Sequence, residues 1–109
     1  MFSKKFISKC YNNLDSNKIF YRYFTEQKTY KDLKIFFYKF KSVVKKERLK
    51  VVTFSDKSFE MYASVASIFF SNNIWIPISL NTPLDRLKKV LASSKPHLII
   101  TTDNFLSHF

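Results

Sequence analysis

The chain has 109 residues, enough for one small domain or a piece of a larger one, and its 46% hydrophobic and 18% aromatic content excludes the intrinsically disordered class. It contains no glycine, which rules out the glycine-dependent phosphate loops, both the dinucleotide fingerprint and the P-loop. Its formal net charge of +11 points to an anionic partner or to solvated lysine faces, and its single cysteine, Cys10, forbids an internal disulfide and fits a reducing compartment.

The charge is concentrated at one end. Residues 1–50 hold 14 Lys/Arg against 4 Asp/Glu, a balance of +10, whereas residues 51–109 hold 5 against 4, a balance of +1. Lys, Asn, Phe, Tyr and Ile are all abundant, which matches A/T-rich codon usage and makes part of the basic character compositional. The first ten residues, MFSKKFISKC, lack the apolar core of a secretory signal, so the expected location is cytoplasmic.

In chain order, residues 1–16 form a basic N-terminal segment with weak patterning and a short helix over Lys4–Leu14. Lys18–Phe24 is aromatic and reads as a strand, and Thr25–Lys28 turns into a short second strand, giving a β-hairpin. Thr29-Tyr30-Lys31-Asp32 is a capping box, in which hydroxyl and carboxylate satisfy each other's backbone donors. Leu33, Phe36, Phe37, Phe40, Val43 and Val44 then recur at helical spacing, with Lys31, Lys34, Lys39, Lys41, Lys45 and Lys46 on the other face.

Lys50–Phe54 has the β-branched and aromatic character of an interior strand. Ser58 caps an apolar helix whose Tyr62, Val65, Ala66, Phe69 and Phe70 wrap more than one face, so it should be a core element. Asn72 and Asn73 stop that helix, because Asn tolerates the left-handed conformation that glycine would otherwise supply. Ile74–Ile76 is a strand ended by Pro77, which has no N–H for a ladder and belongs at a sheet edge. Thr82 as N-cap, Pro83 at the first helical position and Asp85 as cap acid open the last helix, with Leu84, Leu87, Val90 and Leu91 as its stripe. Ser93–Pro96 ends it, and His97–Thr102 is another strand.

Met61–Leu84 has no charged residue and the length of a membrane span, but Asn72, Asn73, Pro77, Asn81 and Thr82 interrupt it, so no span is expected. The fold class is α/β: an N-terminal β-hairpin followed by αβαβαβ with a parallel sheet.

Candidate chemical groups are sparse. His97 and His108, the latter in a frayed end, have only Asp103 between them and complete no metal spacing, and Cys10, in a mobile tail, has no histidine near it in sequence, so all three read as ordinary side chains. Asp85 and Arg86 read as a cap acid and a solvent-facing arginine, and Trp75 as the middle of a buried strand rather than a stacking platform. Tyr21, Arg22, Tyr23, Lys28 and Tyr30 combine bases and aromatics as a nucleic-acid surface does, without any recognised binding motif. No catalytic, cofactor-binding or metal residue is assigned. The alternative reading is a small basic α/β module for nucleic acid or an anionic surface.

The motif order resembles the start of an adenylate-forming enzyme of the AMP-binding synthetase and ligase superfamily. Thr29-Tyr30-Lys31-Asp32-Leu33 looks like the first core motif, T-Y-x-E/D-L. Ile68–Ile78 followed by Pro83–Leu87 looks like the second, here W-I-P-I-S at Trp75–Ser79 and P-L-D-R-L at Pro83–Leu87. That form of the second motif is closer to amino-acid adenylation domains than to acyl-CoA synthetases. Asn72 stands where the family has glycine and Ser79 where it has aspartate.

The resemblance covers residues 17–104. It implies that residues 17–109 are an incomplete N-terminal part of an AMP-binding domain, lacking the phosphate-binding loop and the later catalytic motifs and inactive alone. For a full-length relative it implies ATP and Mg2+, an acyl-adenylate and transfer to a thiol; for this chain it implies no cofactor. The implied partners are the remainder of the domain or a carrier protein.

Overall fold

The structure is a computed structural model and describes residues 4–109. Met1, Phe2 and Ser3 of the basic N-terminal segment lie outside the described residues. The elements are α1 (Lys4–Asn12), β1 (Ile19–Tyr23), β2 (Glu26–Thr29), α2 (Tyr30–Val43), β3 (Lys50–Phe54), α3 (Phe59–Phe70), β4 (Ile74–Pro77), α4 (Leu84–Ser94), β5 (Leu98–Thr101) and a final 3-10 helix (Asp103–His108).

β1 and β2 pair antiparallel as the expected hairpin. β3 lies between β4 and β5 and is parallel to both, with Val51 opposite Trp75 and Leu98. The α/β class, the hairpin and the parallel sheet therefore stand as the sequence implied. Val51 and Val52 are both fully buried, so β3 is covered on its two faces, which is why it reads as a continuous apolar run.

The capping box forms as read: the Asp32 backbone N–H donates to Thr29 Oγ1 at 3.4 Å, and the Thr29 N–H donates to the Asp32 carboxylate at 2.8 Å. It sets the start of α2, which places Tyr30, Leu33 and Phe37 in the core. The α2 stripe is narrower than its spacing suggests. Val43 is 78% exposed, because the helix ends there and the chain turns inward only at Val44.

α3 is the central element, with Ala63–Ile68 all buried, and Ser58 caps it through the Met61 N–H at 3.2 Å. Its small residues let α2 approach, and the principal apolar cluster joins Leu33 and Phe37 of α2, Phe59, Ala63 and Ala66 of α3, and Cys10 and Leu14 from the N-terminal segment. Cys10 is 0% exposed, not a thiol in a tail: the opening helix is amphipathic enough to lay that residue into the core.

Asn72 takes φ 59 and ends α3 in the left-handed conformation, as expected. Asn73 does more than stop a helix. It is buried, and its Oδ1 accepts from the Leu49 N–H at 2.8 Å while its Nδ2 donates to Ser71 Oγ at 2.8 Å, pinning the loop before β3 to the loop before β4.

β4 is an edge strand and includes Pro77, which pairs opposite Thr53 with its missing N–H on no ladder bond that the strand needs. The Ile78 N–H resumes pairing with the Thr53 carbonyl at 3.1 Å. The start of α4 corrects the sequence reading. Pro83 occupies the cap position, no side chain caps the helix, and the Leu87 N–H closes the first turn on the Pro83 carbonyl at 2.9 Å. Thr82 is one residue too early to cap, its N–H being held by the Ser79 carbonyl.

Candidate functional site

Parallel strands present their carboxyl ends together, and ligands of open α/β sheets bind outside those ends where the strand order reverses. Here the chain runs from β3 to β4 on one side and returns to β5 on the other, so the reversal flanks β3. The two flanks differ. Beyond β3 and β5, the 3-10 helix lays the rings of Phe105, His108 and Phe109 against Phe54, with centroids 5.4–5.7 Å away, and closes that side.

Beyond β3 and β4 lies an open crevice of about 620 Å³, walled by Thr53, Asp56, Lys57, Met61, Trp75 and the loop that follows Pro77. Trp75 Nε1 donates to Thr53 Oγ1 at 2.9 Å, which fixes the indole as one wall. Trp75 is half-buried on an edge strand rather than the fully buried middle of one, and its ring also meets Phe69 at 6.0 Å. Asp56 and Lys57, both exposed, are the charged groups lining the crevice, an arrangement suited to holding a polar ligand. Sequence reading missed it. The signal for Thr53, Ser55 and Asp56 is their position at and just past the carboxyl end of a predicted parallel strand.

The other candidates disperse. His97 precedes β5 and locks its register: its N–H donates to the Lys50 carbonyl at 2.9 Å and its Nδ1 accepts from the Lys50 N–H at 3.0 Å. His108 lies past the opposite end of β5, so the two imidazoles do not meet; it packs on Phe54 and is not a loose terminus. Among the described residues no group of three or more His, Cys, Asp or Glu could hold a metal ion. Asp85 and Arg86 are exposed on α4, and Asp85 makes no cap hydrogen bond.

Cys10 and Tyr30 are hydrogen-bonded partners inside the core. Burial pushes the Cys10 thiol up from its ordinary range, against the opposing effect of the Tyr30 bond, and burial likewise pushes up the Tyr30 phenol. A thiol held protonated and out of solvent is a poor nucleophile.

Of the aromatic and basic set, Tyr21, Arg22 and Tyr23 share a surface cleft of about 650 Å³ with Phe6, Lys57 and Tyr62. Tyr30 is in the core instead, and Lys28 sits 5.5 Å over the Phe59 ring, so the five do not make one nucleic-acid surface. No helix among the described residues is long and apolar enough to cross a membrane, the Met61–Leu84 stretch being broken after α3.

Comparison with known proteins agrees with the geometry. No family model matches the chain. Over 55 residues, half of this chain, it is 36% identical to bacitracin synthase 1 of Bacillus licheniformis, of which it covers 1%. Among solved structures, the nonribosomal peptide synthetase FmoA3 bound to α-methyl-L-serine-AMP superposes with a TM-score of 0.75 at 18% identity, over 97% of this chain and 12% of that one. The N-terminal subdomain of Klebsiella oxytoca NpsA superposes with a TM-score of 0.73 at 15% identity, over 89% of this chain and 26% of that one. The chain thus spans a small fraction of the length of the proteins it matches. Its fold is that of the matched parts of these synthetase structures, in line with the resemblance drawn from the T-Y-x-D-L and W-I-P-I-S motifs.

Proposed function

We propose that this chain is the N-terminal portion of an ATP-dependent adenylate-forming ligase that activates an amino acid or another carboxylate, that it supplies scaffold rather than reacting groups, and that it is inactive alone. The observation that carries this reading is the superposition of nearly the whole chain on the FmoA3 synthetase, together with a structured capping box at the first core motif. In the complete reaction a carboxylate oxygen attacks the α-phosphorus of ATP, pyrophosphate leaves, and a thiol then displaces AMP from the acyl-adenylate.

The donor set of this chain does not fit a triphosphate with its metal. The crevice beyond β3 and β4 offers one exposed carboxylate and one exposed ammonium, too little positive charge for a triphosphate with its metal. No step of the reaction is therefore assigned to these residues. Their role is to hold β3 and the loops around it, on which the rest of a domain builds. A carrier protein and the remaining part of the domain are the partners that this context supports.

The test is amino-acid-dependent exchange of pyrophosphate into ATP. The 109-residue chain should show none with any amino acid. A chimera in which residues 17–104 replace the corresponding stretch of an adenylation segment of bacitracin synthase 1 should keep the parent's amino-acid preference and at least about a tenth of its exchange rate, because a scaffold swap leaves the reacting groups in place. A chimera that folds but exchanges nothing overturns the proposal.

A further inference from the structure

Three elements meet at the surface cleft of about 650 Å³ beside the hairpin: Phe6 comes from α1, Phe20–Tyr23 from β1 and Tyr62 from α3, with Lys57 in the loop before α3. Its floor is tied to the core. The Tyr21 and Tyr62 rings have centroids 6.0 Å apart, and Tyr21 and Phe20 both rest on Phe59, at 6.2 and 6.3 Å. Phe59 is buried, so these rings are in place before any ligand arrives, whereas Tyr23 at the lip is 61% exposed. The charge in the cleft has one sign. Arg22 and Lys57 line it, both are exposed, and among the described residues neither has an ion-pair partner. No carboxylate lines it, since Glu26 and Glu60, whose charges reach the Tyr21 phenol, stand outside. Lys57 also borders the crevice beyond β3 and β4, but there Asp56 offsets it.

We propose that this cleft binds a small planar aromatic anion, with its ring against Tyr21 and Tyr62 and its acidic group toward Arg22 and Lys57. The inference goes beyond the ligase reading and does not depend on it. Aromatic walls pair with a ring ligand in offset or edge-to-face contact, which adds to simple burial. A guanidinium offers two parallel donors to a carboxylate or phosphate, and an ammonium adds a point charge. The volume falls within the range of about 300–1,000 Å³ usual for small-molecule sites. Charge decides between ligands. Rings alone would also cage an organic cation, but two cations in the lining repel one. Lys28 and Tyr30 lie outside the cleft, so it offers stacking surface for one small ligand and not a track for a nucleic-acid strand.

Titration of the 109-residue chain with naphthoate at low salt, followed by amide nitrogen–proton correlation spectra, tests this. The expected result is saturable shifts at Phe20–Tyr23 and Lys57, while the indole N–H of Trp75, the chain's single tryptophan and a wall of the neighbouring crevice, stays in place. Naphthoate should bind at least about tenfold more tightly than naphthylmethylammonium or cyclohexanecarboxylate. Arg22→Gln and Tyr23→Ala, both at exposed positions, should each weaken binding several-fold without disturbing the core, and Arg22→Lys should recover part of the loss. Naphthyl phosphate distinguishes the acids: either one binding saturably supports the proposal, and the tighter names the group. Equal binding of the ammonium overturns the anionic chemistry, and equal binding of cyclohexanecarboxylate overturns the aromatic one. Shifts confined to Trp75 and the loop after Pro77, or no saturable shift with either acid, overturn the site. Binding indifferent to Arg22→Gln and Tyr23→Ala does so as well. Pyrophosphate exchange by the chimera is a separate readout, so either reading can fail without the other.

Discussion

Phe24, Arg48, Asn72 and Lys95 all adopt positive φ, between 48° and 62°, in a chain with no glycine to take those positions. An L-residue in that region costs about 1–2 kcal/mol, least for Asn, which explains why Asn72 was legible as a helix stop and the other three were not. Phe24→Gly, Arg48→Gly and Lys95→Gly should each raise stability by roughly 0.5–1 kcal/mol, whereas Asn72→Ala should lower it, read from urea midpoints at unchanged slope. Cys10 shows the reverse case, a residue placed wrongly because its short basic helix gave little pattern. Its thiol should react with a disulfide reagent on the order of a hundredfold more slowly in the folded chain than in urea. Cys10 and Tyr30 both titrate higher when folded than when unfolded. Their contribution is whole below the unfolded thiol's value of about 8.5 and is lost as pH rises through the folded values. The urea midpoint should therefore fall between pH 8 and pH 10, and fall less in Cys10→Ala. Asp15 has the opposite sign: Lys34 holds its carboxyl below the ordinary range, so what that exposed pair adds is present above about pH 4 and disappears as the pH drops further.

Elements with two independent signals were legible. α2 has a capping box and a stripe, β3 has a β-branched run between loops, and α3 has a serine cap and an apolar surface; all three fall where the sequence puts them. The α4 start failed because Thr82 and Pro83 both offer to begin a helix, and the turn that fixes Thr82 to Ser79 is set by the path out of β4, which sequence spacing does not encode. The α2 stripe carries a second lesson. Leu33 and Val43 stand on one helical face, yet one is fully buried and the other 78% exposed. Leu33→Ala should cost about 2–5 kcal/mol in urea unfolding, and Val43→Ala less than about 0.5 kcal/mol. Asn73 was the larger omission. Its role as a clamp between two loops depends on the parallel pairing of β3 and β4, a contact across 24 residues.

At the scale of the molecule, the order of motifs sufficed to read the fold, because hairpin, helix and parallel strand each leave a local signature. The crevice beyond β3 and β4 was not legible, since it is assembled from strand ends whose neighbours in space are distant in sequence. One further feature bears on how the molecule behaves as a whole. α4 anchors itself through Leu87 alone among its buried residues and starts without a side-chain cap. A helix with one fully buried side chain lets go before α2 and α3 when the fold breathes, so limited digestion with trypsin should nick at Arg86, Lys88 or Lys89 while α2 and α3 stay whole. Such breathing would loosen the link between β4 and β5 and leave β3, locked from both sides, as the last strand to dissolve.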